Sequence, residues 1–306
     1  MSSYLLRRAA AQQRGRDAGT LVSLESTVEI IRDSGVDVRT FFLWIFCLTM
    51  FQFCIRHVPS LARKPVAAGM PSMVPDAPKM RTNPFLPYDE TLFVEDAPPS
   101  HVVLLNKFAI VPGHALIVTR AFEPQDAGPC LADFSASLRY LSAERALLFF
   151  NCGAHSGASQ PHRHMQLMPM PGGVPIDAVV GPAAAAAPAD VFQVPSLPFL
   201  HLAVRTPWLA DAGESAAERV YELYKSLRAR LEAAAGGEQS HAFLLVDTWM
   251  MVVPRRKEAV GGVSVNSSGF AGTLLAKTAE DRMEIEGAGG PMAVLASVGF
   301  PPKSLV

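Results

Sequence analysis

The amino-acid sequence predicts an α+β fold, an antiparallel sheet with flanking helices. Two hairpins support this prediction: residues 101–119 and 241–253 each consist of two apolar runs joined by a short turn. The third observation is an amphipathic helix at 214–235, where apolar residues recur every three or four positions before Gly236-Gly237 end the run. A chain of 306 residues that is 49% hydrophobic can bury the core such a fold needs.

Charge and cysteine usage narrow the class of protein. The formal net charge is −1, so no basic field favours nucleic acid, and a polyanionic ligand must be met by local Lys and Arg. The four cysteines are few and irregularly spaced, which favours a reducing compartment over a disulfide framework. The N-terminus lacks the apolar stretch of a secretory signal. We expect a cytoplasmic protein; import into an organelle is the alternative, because residues 1–16 contain Arg and Ser but no acid.

The first elements in chain order are a predicted helix at 21–32 and an apolar segment at 41–55, broken only by Thr49 and Gln52. A membrane-spanning helix needs about 20 apolar residues, so the segment is too short to cross a bilayer comfortably. We interpret 41–55 as an insert foreign to the fold, for example a retained intron. A peripheral membrane anchor and a partner-binding helix are the alternatives, and membrane attachment is not favoured.

The following region brings polar residues toward one place. Residues 101–111 and 114–119 are predicted strands joined by Pro112-Gly113. Lys107 lies within the first strand, where it serves either as an edge charge that limits aggregation or as a phosphate-binding group; we favour the second. A helix is predicted at 122–141, and the apolar run 144–150 leads to Asn151.

Residues 151–169 carry the main chemical signal. Because side chains alternate along a strand, His162, His164 and Gln166 share one face, and the preceding Gly/Ser-rich loop offers backbone N–H groups to a phosphate. A neutral imidazole is a nucleophile toward phosphorus. We predict His164 as the nucleophile, His162 as the group that orients it, and Gln166 as a donor to a phosphoryl oxygen. A metal pair and buried structural histidines are the alternatives, although no Cys-x-x-Cys completes a zinc site.

The Pro/Ala-rich segment 179–198 is predicted to be a linker between residues 1–178, which carry the nucleophile, and residues 199–306. In the second part, the small polar residues of 261–277 form a loop that enters a helix. Free N–H groups at a helix start bind anions, and the alternative is an ordinary helix cap.

The run from Ser156 to Gln166, Ser-Gly-Ala-Ser-Gln-Pro-His-Arg-His-Met-Gln, resembles the signature of the Ap4A phosphorylases, also called ATP adenylyltransferases. This family belongs to the histidine triad (HIT) superfamily, in the branch of galactose-1-phosphate uridylyltransferase. The resemblance extends over the blocks 56–64, 83–125, 144–169 and 241–277. It implies a HIT-like antiparallel sheet whose nucleophile follows a Gly/Ser-rich loop.

The resemblance also implies site residues. His164 matches the residue that forms a nucleotidyl-histidine, and His162 and Gln166 accompany it. The positions that match substrate contacts are Lys64, Asn106, Lys107, Asn151, Gly157, Ala158, Ser159, Gln160, Asn266, Ser267, Ser268, Thr273 and Lys277.

The implied reaction is cleavage of diadenosine tetraphosphate by inorganic phosphate to ADP and ATP through an AMP–histidine intermediate. It requires no covalent cofactor and no protein metal site, with Mg²⁺ or Mn²⁺ accompanying the polyphosphate. The alternatives are a related transferase acting on a sugar phosphate and a non-catalytic nucleotide-binding module. The sequence predicts no oligomeric state.

Overall fold

The computed structural model describes residues 2–21, 27–33, 51–58, 83–210 and 213–306. Within these ranges the helices are α1 (Ser3–Asp17), α2 (Leu131–Leu141), α3 (Asp177–Ala186), α4 (Ala216–Ala234), α5 (Ser267–Phe270), α6 (Ala279–Gly287) and α7 (Pro291–Val298). The strands are β1 (Thr27–Asp33), β2 (Phe51–His57), β3 (Phe93–Ala97), β4 (His101–Leu105), β5 (Ala115–Thr119), β6 (Ala146–Cys152), β7 (His164–Pro169), β8 (Val191–Phe192), β9 (Leu202–Arg205), β10 (His241–Leu245), β11 (Trp249–Pro254), β12 (Ala259–Val260), β13 (Val263–Ser264) and β14 (Thr273–Ala276).

Nine of these strands form one antiparallel sheet in the order β3-β4-β5-β7-β6-β10-β11-β9-β8. At its centre β6 pairs with β7 on one side and with β10, from much later in the chain, on the other. The predicted α+β class and antiparallel sheet are therefore confirmed. Strands from before the predicted linker (β3 to β7) and from after it (β9 to β11) belong to this same sheet.

Each face of this sheet is covered by its own hydrophobic core. Leu148 and Phe150 of β6 lie in the core beneath α2 and α4, whereas Leu147 and Phe149 lie in the core on the opposite face. That second core also receives the small sheet β1-β2-β14, in which β2 runs parallel to β14. Burial of a Leu or Phe side chain contributes ~1.5–3 kcal/mol, so the central strands are held firmly from both sides.

Several predicted elements agree with the structure. The hairpin of β10 and β11 turns at Asp247-Thr248, and α4 matches the predicted amphipathic helix closely. In the first hairpin the strands are shorter than predicted, because β4 ends at Leu105 and β5 begins at Ala115. Asn106 and Lys107 therefore lie in the connecting loop rather than within a strand.

Other predicted elements differ. The helix prediction at 21–32 is wrong for residues 27–32, which belong to β1, and the helix predicted from residue 122 begins only at Leu131. The predicted linker contains most of α3, and β8. Val180 of α3 is fully buried, because a Pro/Ala-rich segment can still dock one apolar side chain on a sheet.

The apolar segment at 41–55 is only partly described. Residues 51–55 belong to β2, where alternate apolar side chains, Phe53 and Ile55, are fully buried in the second core. This part is integral to the fold and is not a foreign insert. Residues 41–50 lie outside the described part of the chain. Within the described ranges, the structure contains no helix with the length and hydropathy required to cross a bilayer.

Candidate active site

The predicted nucleophile, His164, begins β7 at the centre of the sheet. Its backbone pairs with Val118 of β5, and Gln166, two residues on, lies opposite Leu116 of β5 and Phe149 of β6. Residues that lie directly opposite in antiparallel strands share a face. His164 and Gln166 therefore have apolar neighbours on their own face of the sheet, and His164 is only 3% exposed.

A hydrogen bond fixes the tautomer of His164. Its Nδ1 lies 2.8 Å from the carbonyl oxygen of His162, and a carbonyl can only accept, so the proton is on Nδ1. The other ring nitrogen, Nε2, carries a lone pair and has no hydrogen-bond partner among the described residues. This is the form of imidazole that attacks an electrophilic phosphorus.

Burial keeps this imidazole neutral. Desolvation lowers the pKa of His164 to about 4, the neighbouring imidazole of His162 lowers it further, and the hydrogen bond to the His162 carbonyl acts in the opposite direction. At neutral pH this imidazole would need no general base to remove a proton before it attacked phosphorus, as the predicted role requires.

His162 has a different position from the one its sequence pattern suggests. Its ring is fully buried, with Nε2 donating to the carbonyl of Thr119 at 2.8 Å and Nδ1 accepting from the amide of Asn83 at 2.9 Å. Both ring nitrogens are occupied, which disfavours the alternative of a His-x-His metal pair. His162 orients His164 through its backbone carbonyl, while its own ring is held by Thr119 and Asn83.

The side-chain amide of Gln166 is oriented by a histidine that the sequence analysis did not single out. His114 donates from Nε2 to Oε1 of Gln166 at 3.0 Å and accepts at Nδ1 from the amide of Asn106 at 3.4 Å. Desolvation lowers the pKa of His114 to about 4, so the ring keeps this single neutral tautomer. Because Oε1 of Gln166 is engaged, its NH₂ group remains available to a phosphoryl oxygen.

Gln125 is a second residue that the sequence analysis missed. Its Oε1 accepts the backbone N–H of His164 at 2.8 Å, and its Nε2 donates to the carbonyl of Asn151 at 2.9 Å. The side chain is buried and ties the start of β7 to the end of β6. Gln125 falls in a stretch that was predicted as helix, and no pattern around it indicates a buried amide.

The predicted phosphate-binding loop follows β6. Gly157, Ala158 and Gln160 are half-buried and Ser159 is exposed. Gly157 has φ +75°, and a Cβ added there would meet the carbonyl oxygen of Val265 at 2.8 Å, so this position requires glycine. Within the described part of the chain, the backbone N–H groups of residues 157–160 have no hydrogen-bond acceptor.

The C-terminal part docks directly beside this loop. Oδ1 of Asn151 accepts the backbone N–H of Ser267 at 2.8 Å, and the Ser267 hydroxyl donates to the carbonyl of Phe150 at 2.8 Å. The hydroxyl of Ser268 donates to Oδ1 of Asn266 at 2.7 Å. The structure thus brings Asn151 and residues 266–268 together. The hydrogen bonds of Asn151 and Ser267 join the end of β6 to the start of α5.

Three further predicted contact residues, Thr273, Lys277 and Lys107, have other partners in the described structure, and a fourth lies outside it. Thr273 is buried at the start of β14, and the backbone N–H of Lys277 donates to Asp281 at 2.7 Å. Lys107 is exposed in the loop after β4 and lies near Asp89, whose pKa is lowered chiefly by hydrogen bonds from Thr91 and to a smaller extent by this lysine. Lys64 lies outside the described residues.

An apolar surface borders the two histidines. Phe85 is buried, and its ring centroid lies 5.5 Å from the rings of both His162 and His164. It belongs to a cluster on the same face of the sheet that includes Leu104 and Leu116. Among the described residues no three His, Cys, Asp or Glu side chains are grouped as metal ligands. The candidate site therefore combines a neutral imidazole, amide donors and a buried apolar cluster.

Comparisons with known proteins match both the N-terminal and the C-terminal part of the chain. Residues 2–181 match the family model for the Ap4A phosphorylase N-terminal domain, and residues 195–301 match that for the ATP adenylyltransferase C-terminal domain. The chain is 30% identical over 271 residues to diadenosine 5',5'''-P1,P4-tetraphosphate phosphorylase 2 of Saccharomyces cerevisiae, with 78% of this chain and 79% of that protein covered. Protein APA1 of the same yeast is 25% identical over 259 residues, which cover 76% of this chain and 78% of that protein.

Solved structures show the same fold. A crystal structure of yeast Ap4A phosphorylase Apa2 in complex with Ap4A matches with a TM-score of 0.79 at 24% identity, over 99% of both chains. Apa2 in complex with AMP matches with a TM-score of 0.77, over 100% of this chain and 99% of that one. These structures and this chain therefore share one overall fold.

Proposed function

The chain belongs to the Ap4A phosphorylase family, and on that premise we propose that it cleaves diadenosine tetraphosphate with inorganic phosphate to give ADP and ATP. The observation that carries this proposal is the state of His164. One hydrogen bond holds its proton on Nδ1, burial keeps the ring neutral, and Nε2 is left with a lone pair. The reaction then proceeds by double displacement at this nitrogen.

In the first step, Nε2 of His164 attacks the phosphorus of an adenylyl group. A P–N bond forms, the bond from this phosphorus to the bridging oxygen of the next phosphate breaks, and ATP leaves with the electron pair. Positive charge develops on the ring, and the carbonyl of His162, 2.8 Å from Nδ1, stabilises it. Holding nucleophile and phosphorus in line can supply ~7–11 kcal/mol of the barrier reduction.

In the second step, an oxygen of inorganic phosphate attacks the same phosphorus. The P–N bond breaks, ADP leaves, and the imidazole returns to its neutral form with the proton still on Nδ1. Phosphoryl-type transfer depends mainly on positioning and on stabilising charge. The NH₂ group of Gln166 and the free N–H groups of residues 157–160 supply those donors.

The remaining parts of the proposal concern the surroundings of the reaction. A divalent cation, Mg²⁺ or Mn²⁺, accompanies the polyphosphate as part of the substrate, because the described residues offer amide and hydroxyl donors and no grouped carboxylates. A cytoplasmic location fits the irregular cysteines and a thiol at Cys152 that is buried.

The experiment is an assay of the purified chain with Ap4A, with and without inorganic phosphate. We expect ADP and ATP in equal amounts only when phosphate is present. Labelled Ap4A without phosphate should leave an acid-labile, base-stable adduct on His164, detected by peptide mapping. Release of AMP rather than ADP, or no phosphate dependence, would contradict the proposed reaction.

A further inference from the structure

The largest unexplained polar group in the described structure is Arg255, at the end of β11. Its side chain is fully buried, and its nearest aromatic neighbour is Phe270, whose ring centroid lies 5.0 Å from Cζ. No carboxylate forms an ion pair with it among the described residues, and its Nε has no hydrogen-bond partner there. The carboxylate of Glu258 acts on the charge only from beyond ion-pair distance, and burial still lowers the pKa of Arg255 to about 9. A cation without a paired carboxylate is costly to bury, so a purpose beyond packing is indicated.

Within the described part of the chain, the guanidinium of Arg255 donates hydrogen bonds only to backbone carbonyls. One terminal nitrogen donates to Val265 at 2.8 Å, Lys257 at 3.1 Å and Glu258 at 3.3 Å, and the other donates to Ser156 at 3.4 Å. These carbonyls come from three segments: Ser156 lies in the loop after β6, Lys257 and Glu258 lie between β11 and β12, and Val265 lies between β13 and α5. Arg255 therefore bridges the two loops that border the proposed nucleotide site.

The backbone of Arg255 strengthens this bridge. Its N–H donates to the carbonyl of Ser240 at 2.8 Å, and the hydroxyl of Ser240 accepts the N–H of His155 at 3.4 Å. A Cβ added at Gly153 would lie only 2.6 Å from that hydroxyl. The loop at 153–157 thus contacts Ser240 at its start and Val265 at its end. Arg255 bonds to Ser240 through its backbone N–H and to Val265 through its guanidinium.

The consequence follows from the geometry of a trans peptide, in which the C=O and the next N–H point in opposite directions. When the carbonyls of Ser156 and Val265 point at Arg255, the N–H groups of Gly157 and Asn266 point away from it. Neither N–H has an acceptor among the described residues, and both residues are only half-buried. Such paired, outward N–H groups bind an anion.

We propose that Arg255 is a positioning residue that orients the N–H groups of Gly157 and Asn266 toward the phosphates of a bound nucleotide. Resting on the proposed function, this inference adds that a buried cation joins the N-terminal and C-terminal loops into one phosphate cradle. The guanidinium does not touch the nucleotide. Its charge attracts the negative ends of two peptide dipoles, so their positive ends face the phosphate.

The test compares Arg255→Lys and Arg255→Met with Arg256→Met, which removes the same charge from the exposed neighbouring residue. Calorimetry measures the affinities for ATP and for adenosine. Because Lys cannot reach both loops at once, we expect Arg255→Lys to weaken ATP binding roughly ten- to hundredfold, the range for losing a hydrogen bond to a charged group. Adenosine binding should stay within about twofold, since it lacks phosphates, and Arg256→Met should change neither affinity.

A folded Arg255→Lys protein with the wild-type ratio of ATP to adenosine affinity would overturn the proposal, as would equal losses for both ligands. Should the variants not fold, the wild type supplies a second test by NMR. ATP, but not adenosine, should slow amide hydrogen exchange at Gly157 and Asn266 and shift the guanidinium resonances of Arg255; no change on adding ATP overturns the inference. If the wild type binds ATP but makes no ADP from Ap4A, the proposed reaction is refuted, whereas the inference about Arg255 is not.

Discussion

The strand that carries the histidines and the pair of loops beside it satisfy their polar groups in opposite ways. On β7, His164 donates to the carbonyl of His162 and Gln166 accepts from His114, so that each of the two side chains has one orientation. In residues 157–160 and at Asn266, backbone N–H groups have no acceptor within the described ranges. The first region fixes orientation and protonation for chemistry, and the second leaves dipoles free for a ligand. Each prediction below tests one side of this contrast.

The largest effect is expected for His164→Ala. Because it removes the attacking nitrogen, phosphate-dependent turnover should fall by at least about a thousandfold. The matched control is His201→Ala: His201 is equally buried, has a pKa of about 4 and donates from Nδ1 to the carbonyl of Phe199, yet lies at the other end of the sheet. That variant should lose stability and keep its kcat. Retention of more than a few per cent of activity in His164→Ala would rule out the nucleophile.

The second prediction concerns the loop pair. Gly157→Ala places a Cβ 2.8 Å from the Val265 carbonyl, at a φ of +75° that L-residues rarely adopt. We expect ATP binding to weaken roughly tenfold, by loss of about one charged hydrogen bond. Gly236→Ala is the control, because Gly236 has φ +73° but open space around it. If both variants lowered ATP affinity equally, backbone strain alone would explain the loss.

The third prediction concerns the contact between His114 and Gln166, whose loss should lower kcat less than His164→Ala does. His114→Asn removes the donor that holds Oε1 of Gln166, and Gln166→Met removes the amide itself. Each should lower kcat by roughly ten- to hundredfold, and the double variant should be no worse than the worse single one, because the two residues act as a unit. The measurement is a double-mutant cycle on kcat. Additive losses would show that His114 does not act through Gln166.

The last prediction concerns how the free energy of unfolding depends on pH, an effect that is smallest near neutral pH. Burial lowers the pKa of His114, His164, His201 and His241 to about 4, from an ordinary value near 6.5. The unfolded chain therefore binds more protons, so the stability is present above pH 6.5 and is lost as pH falls toward 4. Each excess proton steepens the fall by ~1.4 kcal/mol per pH unit. Urea titrations from pH 7 to 4.5 check this, and His201→Ala must show a shallower slope.

How much the sequence predicts differs between these regions. Alternation along 162–168 places His164 and Gln166 on one face, because strand periodicity is a local property. The resemblance to a family supplied Asn151 and residues 266–268, which lie far apart in sequence. Neither approach identified His114, Gln125 or Arg255 as site residues, because their importance rests on bonds to partners 26 to 99 positions away in the sequence. The segment 51–55 was misread for the same reason, since its partner β14 is distant.

The order of strands has a consequence for how the protein is made. β6 and β7 leave the ribosome early, but β10, which closes the far edge of β6, is translated about 90 residues later. Until then the nascent chain exposes a long, apolar, unpaired strand edge, the kind of surface on which polypeptides associate. A chain truncated between these strands would therefore keep this apolar edge exposed, and we expect it to aggregate or to bind chaperones and to lack activity.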